Sequence, residues 1–533
     1  MLAFTKSSYA LYIVETICNY ARKSESENLV TFAGGIVMMK RWLKKRKWLV
    51  LSLAAMTIIG AQTAAAAEGG MEAVGTKFGI WSGGKEVKTD KAPVLIDGST
   101  YVPLRALGEA LGKQVEWNEW TQSIRLKEMP KVAAVHEWKN PGTLVGSLKE
   151  GGLSGLVHLP GDPADVFYTL ADRGPNGEFG KDKLRTFPNE AYVPRIYKIK
   201  AAGGTIEVLE TIKLHLPAGK TDKFSKTAEL TGLPNLEASD EVPYDGSGTK
   251  KLAYDPDGLD LEGIAYNPTD DTFWLSDEYR PSVLQVKRDG MVVGRYVPQG
   301  AKEQLVAAGA QTEIYDILPA VYAKRIPNRG FEGVTISPDG KYLYASIQSP
   351  MAVPDKKTGE ASRNLRILKM DLAAKKVVGE YLYIAENADS FTNVKQKDVV
   401  ISDLSALSTD VLLVDERDKN SGKEAQIKRI YRADFSAATN LLGTEHSDNL
   451  EKLTLAQIKE KGIVPAGKEL IVDVAKLGYP HEKLEGLAVV DKHTIAVVND
   501  NDFGVDGYDD QGQLKVNGNP TQMYLIQVGE ELK

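Results

Sequence analysis

Leu261-Glu262-Gly263-Ile264-Ala265, Phe331-Glu332-Gly333-Val334-Thr335 and Leu484-Glu485-Gly486-Leu487-Ala488 are one phrase written three times. A turn and a second apolar run follow each copy. Two of those runs end in acid, at Asp277-Glu278 and at Asp500-Asn501-Asp502, and the middle one ends at Gln348. Weaker copies start at Leu153-Ser154-Gly155-Leu156, ending at Asp172-Arg173, and at Ser402-Asp403-Leu404, ending at Asp415-Glu416. Self-similarity at this period marks one supersecondary unit used repeatedly.

Working outward from the phrase, each unit carries three further apolar runs. In one unit these are Thr272-Phe273-Trp274-Leu275-Ser276, Val283-Leu284-Gln285-Val286 and Val292-Val293-Gly294-Arg295-Tyr296. The next repeats them at Leu343-Tyr344-Ala345-Ser346, Leu365-Arg366-Ile367-Leu368 and Val377-Val378-Gly379-Glu380-Tyr381. Four short antiparallel strands per unit predict a mainly β chain folded as a β-propeller. Five or six blades are expected, because the stretch 216–260 reads either as a further strand set or as an insertion. A helix is predicted over Thr454 to Lys461, inside a second insertion.

Upstream, residues 76–128 read as a small α+β module. Two short strands, Pro93 to Ile96 and Thr100 to Pro103, flank the turn Asp97-Gly98-Ser99, and Asp-Gly is a strong hairpin signal. Leu104, Leu107 and Leu111 share one helical face, which Gly112 ends. Val115-Glu116-Trp117 and Ser123-Ile124-Arg125-Leu126 alternate like strands. A linker is expected over 129–146, and the propeller is assigned to 136–533. Residues 39–67 read as a signal peptide: Lys40, Arg41, Lys44, Lys45, Arg46 and Lys47 precede an apolar run from Leu49 to Ala61, and Ala64 to Ala67 supply small residues for cleavage. A membrane anchor is the alternative, although the apolar run is short for a span. Residues 1–38 read as an extension upstream of the true start.

The chain has 533 residues, 26% charged and 42% apolar, with a formal net charge of −6. It has enough apolar content for a sizeable core. The acidic balance argues against a nucleic-acid partner. Its one cysteine, Cys18, lies before the signal segment, so the exported chain would hold no disulfide or thiolate site. That leans toward a secreted or envelope-associated protein of Gram-positive type, expected to be a monomer.

The chemistry rests on convergence. First strands line a propeller's channel, so Glu262, Glu332 and Glu485 would meet there, with Asp277, Glu278, Asp415, Asp500 and Asp502 near the loops. Crowded carboxylates stay ionised only against a cation or basic side chains. A ring of hard oxygen ligands suits calcium better than zinc or copper. Asp255-Pro256-Asp257-Gly258-Leu259-Asp260 and Asn499-Asp500-Asn501-Asp502 add closely spaced acids. Against this stand a structural role for Glu-Gly and ordinary turn chemistry for Asp, Asn and Gly. Arg173, Arg329 and Arg366 offer forks for phosphate or carboxylate, or a surface ion-pair network. A cation beside such a fork suits hydrolysis of a phosphoester or phosphodiester. His481 is the best-placed histidine for general acid or base work, or else a structural residue. No nucleophile elbow, P-loop or His-Glu-x-x-His helix occurs. A lactonase or esterase, and a non-catalytic binding protein of the cell envelope, remain the other readings.

Two resemblances follow from these residues. The run Val94-Leu95-Ile96-Asp97-Gly98-Ser99-Thr100-Tyr101-Val102-Pro103-Leu104-Arg105 resembles the copper amine oxidase N-terminal-like domain. Residues 76–128 hold no cysteine or histidine, so no copper is expected; the module is read as a spacer or a means of cell-wall association. From His136 onward the chain resembles the phytase-like family, also described as esterase-like activity of phytase. The matching stretches are Asp257-Gly258-Leu259-Asp260-Leu261-Glu262-Gly263, Trp274-Leu275-Ser276-Asp277-Glu278, Asn328-Arg329-Gly330-Phe331-Glu332-Gly333, Asn364-Leu365-Arg366-Ile367 and Leu484-Glu485-Gly486-Leu487-Ala488. That resemblance implies an exported propeller whose recurrent Glu and Asp are its active residues.

Overall fold

Strands in the repeat are apolar without a break where two sheets cover them. Val166–Ala171 and Thr272–Asp277 are buried along their whole length, as expected for strands packed on both faces. Outer strands alternate instead, as Lys131–Glu137 does. The computed structural model describes residues 73–75, 78–119, 122–237, 239–509 and 512–532. The extension expected at 1–38 and the signal peptide at 39–67 lie outside them.

The described residues form five antiparallel blades of four strands. The first runs Leu153–Val157, Val166–Ala171, Arg195–Ala202, Thr205–Lys213. The second runs Leu261–Asn267, Thr272–Asp277, Ser282–Lys287, Val292–Pro298, with a parallel fifth strand, Ile314–Leu318, on its edge. The third is Phe331–Ile336, Tyr342–Ile347, Asn364–Asp371, Lys376–Ile384, and the fourth Val400–Ala406, Val411–Arg417, Lys428–Asp434, Gly467–Asp473. The last takes Gly486–Asp491, Thr494–Val498 and Gln522–Gln527 from the end of the chain and its outer strand, Lys131–Glu137, from the start. The five innermost strands touch in cyclic order and close a ring.

That closing strand lies in the stretch expected to be a linker. It pairs antiparallel with Gln522–Gln527, Val132 opposite Ile526 and His136 opposite Met523. A single parallel pair, Thr205 with Glu137, joins it to the first blade. The stretch 216–260 is an insertion, not a blade. Among its described residues the one strand, Pro243–Asp245, lies parallel to Leu184–Phe187, which itself pairs with Gly177–Phe179. The helix expected near 454–461 is Leu455–Glu460, started by a capping box between Thr454 and Gln457.

Two compact units divide the chain. Within the smaller, Ala73–Gly75, Val94–Ile96 and Ser99–Tyr101 form a three-stranded antiparallel sheet. Asp97 and Gly98 make its turn with φ of 49° and 77°, the left-handed pair a two-residue hairpin requires. The larger unit contains the propeller together with helix Leu104–Ala110 and the hairpin Lys113–Asn118/Ser123–Glu128. Within that larger unit Lys127 ties the hairpin down: its buried ammonium donates to the Leu470 carbonyl (2.9 Å) and pairs with Glu530 (2.9 Å).

Candidate functional site

In the second and third blades the Glu-Gly phrase forms a β-bulge. Register slips between Leu261 and Ile264, between Phe331 and Val334, and at the matching places in the first and fourth blades. Bulges re-aim a side chain out of the regular alternation. The glycine is there because blades meet at it. A Cβ on Gly263 would lie 2.5 Å from the Glu332 carbonyl oxygen, and one on Gly333 would lie 2.7 Å from the Leu404 nitrogen. Each glycine seats its phrase against that of the next blade.

Two tiers of side chains follow from this register. The residue before the glycine position is Ser154, Glu262, Glu332, Ser402 or Glu485. The residue that follows the second strand in the first three blades, ends it in the fourth and lies two places beyond it in the fifth is Asp172, Glu278, Gln348, Arg417 or Asp500, aligned through the pairs Leu153–Ala171, Leu261–Asp277, Phe331–Ile347, Ile401–Glu416 and Gly486–Val498. Most of these ten positions line one cavity of about 340 Å³, with Asp260, Arg173, Arg329, Lys483 and Asp502 beside them.

Its two sides answer their acids to different degrees. On one side Asp260, Glu262 and Glu278, all buried, bring carboxylate oxygens within 4.8 Å of one another. Arg173 answers part of that charge, 3.1 Å from Asp260 and 2.7 Å from Glu241. On the other side Arg417 pairs with Glu485 at 2.7 Å and donates through Nε to Ser402 (2.8 Å). Lys483 bonds Asp500 and Asp502, and Gln348 donates to the Glu332 carboxylate. Among the described residues no protein donor bonds the Glu262 carboxylate.

Burial and mutual repulsion set the protonation of this cluster. Burial, then Glu332, Asp260, Glu278 and Glu485, push Glu262 well above the carboxylate range. Glu332 is raised by burial and by Glu278 and Glu485, against the pull of Arg417 and Lys483. Burial lifts Asp260 to about 8 although Arg173 opposes it, and lifts Asp500 to about 7 against Lys483. Burial works against the charge of Lys483, yet Asp500, Asp502 and Glu485 hold its ammonium well above its ordinary value. The oxygen-only donor set and its unanswered charge fit a hard divalent cation.

The structure brings together Glu262, Glu332, Glu485, Glu278, Arg173, Arg329 and Asp502 at the cavity, with Asp500 at its edge through Lys483. Four predicted residues stand elsewhere. Asp277 is turned the other way from Glu278, as strand alternation requires, and is fully buried on Arg295 (2.6 Å) and Ser282 (2.6 Å). Arg366 is wholly buried between Glu380 (2.8 Å) and Glu451 (2.7 Å), so it holds no substrate. His481 bonds Gln522 through Nε2 (2.9 Å) and packs edge-on to Tyr479, away from the cavity walls. Asp415 matches Ser276 by register, not Glu278; both its oxygens are buried without a hydrogen-bond partner, and Arg417 holds the cavity position. Sequence reasoning missed Arg417 and Lys483 as site residues, and did not count Asp172 and Asp260 among them. Counting residues from the bulge, in place of matching acid to acid, finds Arg417.

A family model described as phytase-like, esterase-like activity of phytase, matches residues 149–503. The chain belongs to the phytase-like family. A model of the copper amine oxidase N-terminal domain matches residues 80–137 of this phytase-like chain, a range that includes the propeller's closing strand. An uncharacterized secreted protein of Arthroderma benhamiae is 29% identical over 251 residues, 43% of this chain and 48% of that relative. The match thus spans about half the length of the curated relative. Among solved structures, the PQQ-bound aldose sugar dehydrogenase of Streptomyces coelicolor is 13% identical with a TM-score of 0.30, covering 75% of this chain and 99% of that one. A protein from Lactobacillus plantarum is 12% identical with a TM-score of 0.28, covering 79% and 92%. The phytase-like fold rests on its own strand order.

Proposed function

We propose that this phytase-like propeller is an exported, calcium-dependent hydrolase of phosphoric esters, with phosphodiesters as its preferred class. One observation carries the reading: three buried carboxylates with oxygens within 4.8 Å of one another share a cavity with Arg329, Arg417 and Lys483. Asp260, Glu262 and Glu278 would hold the cation. Bound there, a divalent cation supplies Lewis-acid polarisation of the ester and a more acidic water.

The chain's own residues do the rest. Arg329 donates from Nη1 to the Lys397 carbonyl (2.5 Å) and leaves its remaining N–H groups for an anion. Arg417 and Lys483 are already committed to Glu485, Asp500 and Asp502. So few uncommitted cations suit the single charge of a diester better than the double charge of a monoester. Glu332, whose hold on a proton is strengthened by burial and by Glu278 and Glu485, is placed to give a proton to the departing oxygen.

The same scarcity of free cations favours a second reading, a carboxylic ester or lactone, where no anion must be held. Assay of a phosphomonoester, a phosphodiester and a lactone, each with chelator and then calcium restored, separates them. Turnover of the diester that disappears with chelator is expected; turnover of the lactone alone rejects the phosphoester reading. Ligand binding without turnover of any ester would favour the envelope-binding protein. The segment 39–67 and a secreted relative support export; wall association through 76–128 and a monomeric state are part of the same proposal.

A further inference from the structure

We propose that Asp222, Asp255 and Asp257 form a second divalent-cation site, of the hard calcium type, which pins the 216–260 insertion to the segment that feeds the channel. This site is separate from the cavity and does not rest on the activity proposed above. Asp222 is 1% exposed and Asp255 and Asp257 are 0% exposed. One oxygen of each lies within 4.8 Å of the others.

Ordinary turn chemistry does not use up these carboxylates. Asp222 Oδ1 accepts from the Phe224 and Ser225 nitrogens (2.9 and 2.6 Å), while its Oδ2 is buried with no hydrogen-bond partner. Asp255 accepts from Thr231 and from the Asp257 nitrogen (3.0 Å). Asp257 accepts from the Gln311 and Thr312 nitrogens (2.6 and 2.9 Å) and the Thr312 hydroxyl (2.8 Å). Among the described residues no Lys, Arg or His forms an ion pair with any of the three. In the channel Arg173 plays that part; among these three acids no described residue does. Three buried carboxylates without counter-charge are costly unless a cation, or shared protons, neutralise them.

The elements joined explain the use of such a site. Asp222 lies near the start of the insertion, Asp255 and Asp257 lie near its end beyond the strand Pro243–Asp245, and Asp257 is tied to the turn after helix Ala301–Ala308. Asp260 and Glu262 follow within a few residues. An ion held by these acids fixes the backbone that presents Asp260 and Glu262 to the cavity, with no contact to substrate.

The test uses the full chain, stripped with chelator and titrated with calcium alone. Glu262→Gln/Glu278→Gln removes two of the three channel ligands, and Asp222→Asn removes one ligand of the second site. The channel variant should keep one tightly held calcium per chain, show a calcium-dependent rise in Tm, and become open to proteolysis within 216–260 only under chelator. Asp222→Asn should lose that ion and that rise. Were the channel variant to bind no calcium and show no change in Tm, the three acids would share protons and the inference would fall, whether or not Asp222→Asn folds. Equal calcium content in Asp222→Asn and the parent overturns it as well. Lost turnover with this ion retained would indict only the channel reading.

Discussion

Asp403 reaches across a blade boundary and accepts the backbone N–H of Leu487 at 2.7 Å. It stands where the other four innermost strands have Gly155, Gly263, Gly333 and Gly486. Its second oxygen accepts the N–H of Leu404 at 2.8 Å. The carboxylate thus fills the gap between fourth and fifth blades that close backbone contact fills elsewhere. Asp403→Ala would leave two buried N–H groups without acceptors, each worth about 1–3 kcal/mol. Urea unfolding should show a loss of at least that size for one group; an unchanged midpoint would mean the gap closes by itself.

The glycines make the opposite demand. Gly263→Ala would drive a methyl to 2.5 Å from the Glu332 carbonyl oxygen, and backbone cannot rotate aside as a side chain does. Overpacking of this kind costs about 1–3 kcal/mol. The denaturation midpoint should fall, and cation binding should weaken with it, since Glu262 is the adjoining residue. Wild-type behaviour in both would show that the ring is slacker than these contacts imply.

Neighbouring acids should separate function from stability. Glu278→Gln removes a cavity carboxylate and should cut ester turnover by about 100-fold or more, in the range of lost electrostatic stabilisation, with little change in Tm. Asp277→Asn leaves the buried Arg295 guanidinium without its partner and should cost about 3–5 kcal/mol. Paired kinetics and thermal unfolding on the two variants check this; the reverse pattern of effects would refute the opposed orientation of the two side chains.

Acidification should stabilise the cation-free protein near neutrality. Asp260 and Asp500 take folded-state values of about 8 and about 7 against an ordinary 3.8. Between pH 8 and 6.5 the folded chain holds protons that the unfolded chain has released, so stability is lost as pH rises, on the order of 1 kcal/mol per unit for each proton. Below about 6.5 the buried His136 and the half-buried His158 and His481, all lowered by desolvation, pull the other way. Chemical denaturation across pH 6.5–8 should show the slope under chelator and a flatter one with calcium. A flat profile under chelator would mean that the acids are neutralised otherwise.

The fold was legible because the phrase and its three following runs repeat, and because strands buried on both faces are apolar throughout. The closing strand was not: Lys131–Glu137 has no local mark of its partner, which lies near the other end of the chain. At the site, Glu262, Glu332 and Glu485 were readable from the repeat itself. Glu416 resembles Glu278 in chemistry but not in register, and Asp415 was chosen on chemistry, so Arg417 was passed over. Arg366 looked like an anion fork because its two acidic partners, Glu380 and Glu451, lie on a neighbouring strand and in a distant insertion.

The Lys131–Glu137 strand also has a kinetic meaning. It is synthesised before any blade and finds its mate, Gln522–Gln527, only after every blade has been made. Until then it is an unpaired edge, and an interrupted chain would expose it to pairing with another molecule. If the chain is exported as proposed, crossing the membrane unfolded would let the whole ring assemble at once on the far side.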